Sequence, residues 1–148
     1  MEYDEFITII QQRIDLPAEQ DAEVVVMEVV NALAHALPSE ECAMLAEALP
    51  GPIGMRLAAS DAGFDPLIDE HLFIGYLMTE HQTTGYWDRT AGGDDVLASA
   101  AAEEIERRAR AVLGLVAETI PAETLQAVCD ALPAILGEWF RGEGQAVA

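Results

Sequence analysis

The chain nearly repeats itself at a constant shift. Residues Glu23–Leu57 can be laid on Glu106–Phe140 at an offset of 83, and nine of the 35 positions are then identical. The identities are Glu23/Glu106, Val29/Val112, Ala34/Ala117, Pro38/Pro121, Glu40/Glu123, Ala48/Ala131, Leu49/Leu132, Pro50/Pro133 and Gly54/Gly137. Other pairs keep their character: Val30/Leu113, Leu37/Ile120, Leu45/Val128 and Leu57/Phe140. Apolar and punctuating positions recur together, which is the mark of a duplicated structural unit.

Within each unit the pattern is helical. Tyr3, Phe6, Ile7, Ile10 and Ile14 keep i, i+3, i+4, i+7 spacing, the stripe of an amphipathic helix. Asp4 and Glu5 stand in its first turn, where the helix dipole favours acids. Pro17 suits the first position of a second helix running to about Leu37. Its β-branched run Val24–Val30 could suggest a strand, but the length and flanking acids favour a buried helix. Pro38 restarts the chain into a third helix that Pro50 stops after Leu49. A short helix from Ile53 to about Ala59 comes next, then a linker over 60–66.

The second copy opens with a helix expected at about Leu67–His81, whose apolar stripe is Ile68, Leu72, Phe73, Tyr76 and Leu77. Aligning it to the first copy needs an offset near 66. The difference implies an insertion of about 17 residues at about 82–98, unusually long for a loop. It holds Gly85, Gly92, Gly93, Tyr86 and Trp87. Helices over about Asp94–Ile120 and Pro121–Leu132 and a closing turn to Phe140 complete the copy, with a frayed tail expected from Arg141. The expected architecture is all-α: one domain over 1–148, repeat one at about 3–59 and repeat two at about 66–140. The two tandem repeats pack about a pseudo-twofold axis into one compact bundle.

A unit of about 50 residues buries too little to be comfortably stable, whereas two units can share one core. At 148 residues and 51% apolar content, the chain needs neither disulfide nor metal to fold. Its two cysteines, Cys42 and Cys129, occupy non-equivalent repeat positions and read as small buried hydrophobes.

The opening Tyr3-Asp4-Glu5-Phe6, the long alanine-rich second helix and the doublets Leu49-Pro50 and Leu132-Pro133 together resemble a bacterial family known as Domain of Unknown Function 2267. The resemblance implies a tandem of two helical units. It implies no activity, cofactor or catalytic residue. The insertion around Gly85–Gly93 departs from the family's compact pattern.

Charge sets the function classes. The net charge is −20, and all seven basic residues are arginines. Such a field repels phosphate backbones and anionic membranes, so neither nucleic acid nor a membrane is expected as a partner. No apolar run approaches the roughly 20 residues of a membrane span. The acidic start Met1-Glu2-Tyr3-Asp4-Glu5 lacks the basic region of a signal peptide, and a cytoplasmic location is expected. The acidity serves solubility, reflects codon bias, or attracts a basic partner.

Catalytic signatures are absent: no GxSxG, no HExxH, no local histidine beside a cysteine. His71 and His81 share a helix but stand nearly three turns apart, about 15 Å, too far for one metal ion. A metal site would need Asp88 or a neighbouring acid as well; solvated acidic faces are the commoner outcome. Gly92-Gly93-Asp94-Asp95 lacks a phosphate-binding lysine, and Asp94 reads better as a helix cap. Glu103/Arg107, Glu104/Arg108 and Glu106/Arg110 are i, i+4 pairs in the favoured order, a self-neutralised helix face. Tyr86 and Trp87, and Trp139 in place of Arg56 of the first copy, are the candidate interaction residues; the bland alternative for each tryptophan is core packing.

The functional expectation is a small helical interaction or adaptor module with an unidentified protein partner or a second copy, without cofactor. The alternative is a metal- or ligand-binding protein or enzyme using the histidine and acid region 65–95. A third reading is an acidic decoy for a basic protein.

Overall fold

A computed structural model describes residues 2–16, 18–59, 65, 67–69, 72–73, 75–77 and 95–147. The described residues are all-α. Helix α1 spans Tyr3–Arg13, α2 Glu19–Ala36, α3 Ser39–Ala48 and α4 Gly51–Ala59. After the helical residues 72–73 and 75–77 come α5 (Asp95–Thr119), α6 (Ala122–Ala131) and α7 (Ala134–Val147).

The boundaries rest on a few residues. Asp15 takes a left-handed conformation, φ 55°, and so ends α1 and turns the chain toward α2. Asp is one of the few non-glycine residues that tolerates this region. Pro38 and Pro121 stand before α3 and α6 with ψ of 157° and 153°. Leu49 and Leu132 close those helices, each donating its N–H four residues back, to the Leu45 and Val128 carbonyls at 3.2 and 3.1 Å. Each precedes a proline, which holds it extended (ψ 159° and 155°). The bounds of α3, moved by 83, are the bounds of α6.

The β-branched run 24–30 is helical within α2, with Val25, Val26, Val29 and Val30 buried. α4 starts at Gly51, two residues before the expected Ile53, because the Pro50 carbonyl accepts the Ile53 and Gly54 N–H groups, both at 3.0 Å. The second copy's first helix starts later than expected. Residues 67–69 are not helical, and Asp69 caps the helical residues after it. Its Oδ1 accepts the Leu72 N–H at 2.8 Å and its carbonyl the Phe73 N–H at 2.9 Å. Residues 95–98 form the first turn of α5, within the helix expected over about Asp94–Ile120. Likewise α7 continues through Val147, in place of the frayed tail expected from Arg141. Pro17, Asp94 and the glycines 85, 92 and 93 lie outside the described residues.

One apolar cluster joins both copies. Phe6, Ile7, Ile10, Leu33, Leu45, Ile53 and Leu57 from the first meet Phe73, Leu77, Ile105, Val112, Val128 and Phe140 from the second, all essentially inaccessible to solvent. Burying one such side chain contributes about 1.5–3 kcal/mol. Leu72 is the exception on its expected stripe; it is 44% exposed. α1 packs on α2 and α5, α3 and α2 on α4, and α6 and α5 on α7; α2 meets α5 and α3 meets α6.

Candidate interaction surface

The expected site residues divide in two. Tyr86, Trp87, His71, His81 and Asp88 lie outside the described residues. Trp139 lies inside and is 3% exposed. Its ring meets the Phe73 ring edge-on (centroids 6.1 Å apart, planes at 72°), and the Arg110 guanidinium carbon stands 5.1 Å from its centroid. An exposed anchor is therefore not what Trp139 provides. It packs the second copy's last helix against the aromatic stripe, which is the core-packing alternative. The physical reason is that its neighbour on α5 is Arg110, whose cation rests on the indole face.

The arginine segment also does more than neutralise itself. Arg107 pairs with Glu104, three residues back, rather than with the expected Glu103. Arg108 pairs with Glu104 as expected, Nε to carboxylate 3.0 Å, and Arg110 with Glu106 at 3.3 Å. The hydrogen bond from Arg107, aided by that from Arg108, holds the Glu104 carboxyl below its ordinary range despite partial burial. Arg107 Nη2 also donates to the Ile14 carbonyl at 3.3 Å. Nearby, Arg13 makes a two-pronged bond to Glu118, 2.7 and 3.2 Å, which draws the Glu118 carboxyl down. The end of α1 is thus tied to α5 by two arginine contacts, one from each side.

A second junction uses residues for which the sequence suggested other roles, Tyr76 on the apolar stripe and Asp65 in the histidine and acid region. The Asp65 N–H donates to the His35 carbonyl at 2.8 Å. Asp65 Oδ1 accepts the Leu67 N–H at 3.0 Å, and Oδ2 accepts the Tyr76 hydroxyl at 3.0 Å. The Tyr76 ring then lies flat on the His35 ring, centroids 4.0 Å apart and planes within 1°. The hydrogen bond to Asp65 pushes the Tyr76 phenol above its ordinary value. One aspartate so fixes where the second copy begins on the last turn of α2. Asp65-Pro66 as a turn former was the available signal; its partners are 30 residues upstream and 11 downstream, with no local trace.

Neither cysteine is poised as a nucleophile. Cys42 and Cys129 are free, and burial raises both thiols, which leaves less of the reactive thiolate. Among the described residues, no three histidine, cysteine or acidic side chains gather into a group able to hold a metal, and no helix is long and apolar enough to cross a membrane.

The surface carries its own signal at α4. Ile53, Gly54 and Leu57 face the core, yet Gly51, Pro52, Met55, Ala58 and Ala59 are exposed. Met55 is 73% exposed. α4 is apolar on both sides, and a helix of that kind ordinarily has a covering on each. It is also the one helix among α1–α7 without an acidic residue, and no acid occurs between Glu47 and Asp61. Arg56, the charge it does carry, turns back to α2 and donates Nε–H to Asn31 Oδ1 at 3.0 Å. Asn31 and His35 are one turn apart on α2, so the stretch bearing Leu67, 81% exposed, docks on the same side of α2 as α4 does.

A comparison with curated proteins returned no match. The family described as "Uncharacterized conserved protein (DUF2267)" matches residues 3–139, nearly the whole chain, and the protein belongs to that family.

Proposed function

We propose that the protein is a cytoplasmic protein–protein interaction or adaptor module, built from two helical copies related by a pseudo-twofold axis. The pairing of helices that correspond under the 83-residue shift, α2 with α5 and α3 with α6, supports the twofold relation. The observation that carries the functional reading is the solvent-facing apolar side of α4, centred on Met55 at 73% exposure. An acidic chain gains nothing for its own fold by keeping such a face bare, and exposed apolar surface commonly marks a binding region. Tyr86 and Trp87 are proposed as additional contact residues.

The test is co-purification of the tagged protein from its native cells at physiological salt. A stoichiometric partner that Trp87→Ala or a polar substitution on α4 releases is the expected result. Recovery of the chain alone, across growth conditions, would refute the interaction reading. Trp139→Ala is unsuited to this experiment, since that ring is in the core.

A further inference from the structure

Building on the interaction-module reading, we infer that the outer face of α4 docks an amphipathic segment of a partner protein whose apolar stripe is flanked by lysines or arginines. The centre of the face is apolar: Pro52, Met55, Ala58 and Ala59 repeat at helical spacing on the exposed side. Its surroundings are acidic. α3, the helix before it in the chain, packs on α4 and exposes Glu40 and Glu47, and the chain as a whole carries −20. An apolar face beside the acids of α3, on a strongly acidic chain, is complementary to an apolar stripe between basic flanks.

The second copy supplies an internal comparison. Met55 corresponds to Glu138, Ala58 to Arg141, and Arg56 to the buried Trp139. At the equivalent place the second copy therefore shows charge to solvent. At Met55 and Ala58 the apolar exposure is therefore particular to the first copy.

The charge of the molecule decides between occupants. A second copy would bring another −20 and no lysine, and like charges around the contact would oppose it. A basic partner is steered toward the same field. The field alone would hold a basic segment anywhere on the surface, whereas the apolar centre gives it one seat.

Substituting Met55 by Glu separates these contributions, because the change adds negative charge while removing the apolar centre. Met55 is largely solvent-exposed, so the variant keeps the core, which thermal unfolding verifies; Met55→Gln provides a neutral control. The probe is a synthetic leucine–lysine amphipathic peptide of about 15 residues, long enough to form a helix, titrated into the intact protein by fluorescence anisotropy. A leucine–glutamate peptide of the same pattern is the counterpart. The expected result is binding of the lysine peptide only, weakened tenfold or more by Met55→Glu and also weakened by Met55→Gln. Unchanged or tighter binding to Met55→Glu would overturn the assignment to α4. Equal binding of the glutamate peptide would overturn the basic partner. Sedimentation showing a dimer that Met55→Glu dissociates would put a second copy on the face instead. In the native co-purification, a partner retained by Met55→Glu sinks this inference and leaves the interaction module standing; no partner for the wild type sinks the module itself.

Discussion

At the residue scale, two equivalent glycines have come to different uses. Gly54 and Gly137 match under the repeat, and each faces the matching residue of the preceding helix, Ala46 and Cys129. A Cβ at Gly54 would run into the Ala46 carbonyl oxygen, while one at Gly137 would sit 3.5 Å from the Cys129 carbonyl oxygen, an ordinary contact. Gly54→Ala is therefore expected to cost about 1–3 kcal/mol by overpacking. Gly137→Ala should be neutral or stabilise by up to about 1 kcal/mol through helix propensity. Denaturant unfolding of the two variants measures both, and equal losses would mean the copies are packed alike. Recurrence of the glycine within the repeat is legible in the sequence. Which copy needs it is not, because that depends on how closely two backbones approach. Asp65 shows the same limit: its hydrogen bonds reach from His35 to Tyr76. Tyr76→Phe keeps the stacked ring and removes one of them, an expected loss of about 1 kcal/mol in the same measurement.

At the scale of the element, punctuation carries most of the information. Prolines 38, 50, 121 and 133 locate the ends of α3 and α6 because a proline ring fixes its own φ and restricts its predecessor wherever it occurs. The start of the helix after Asp69 is less legible, since Ile68 continues the apolar spacing and is buried without being helical; periodicity reports burial, and a capping aspartate sets the helix start locally. Leu72 and Trp139 exchange expectations for a related reason. Leu72 has the spacing of a core residue and is half exposed; Trp139 stands where the first copy has an arginine and is buried. Trp139→Ala should accordingly cost about 3–5 kcal/mol, the usual range for an aromatic removed from a core, visible as a lowered unfolding midpoint before any binding is assayed. A stable Trp139→Ala protein would contradict the packing described.

At the scale of the whole molecule, a charge of −20 opposes the compact state. Raising salt from about 0.01 M to about 1 M shortens the screening length from about 30 to about 3 Å, and the thermal midpoint should rise with it. A fall would mean the arginine pairs outweigh the repulsion. Acid acts on the paired carboxyls. The Arg13–Glu118 and Arg107–Glu104 contacts hold their carboxyls low in the folded protein. Their stabilisation is present at neutral pH and is lost as pH falls through those lowered values. Each is partly solvent-exposed and contributes on the order of 0.2–1 kcal/mol. Stability should therefore fall as pH drops through those lowered values. Arg13→Gln should reduce that fall, read from unfolding midpoints across pH; an unaltered acid limb would show the pair contributes nothing.

Residues alone suffice for the helical class, the family, the 83-residue recurrence and the ends of α3 and α6. These rest on local sterics and on periodicities that hold whatever the chain packs against. Three other features exist only once the helices are packed: Trp139 in the core, Asp65 tying the second copy to α2, and the outer side of α4 left apolar and bare. A helix can be read as apolar from its residues, but which side is covered depends on where the other helices lie.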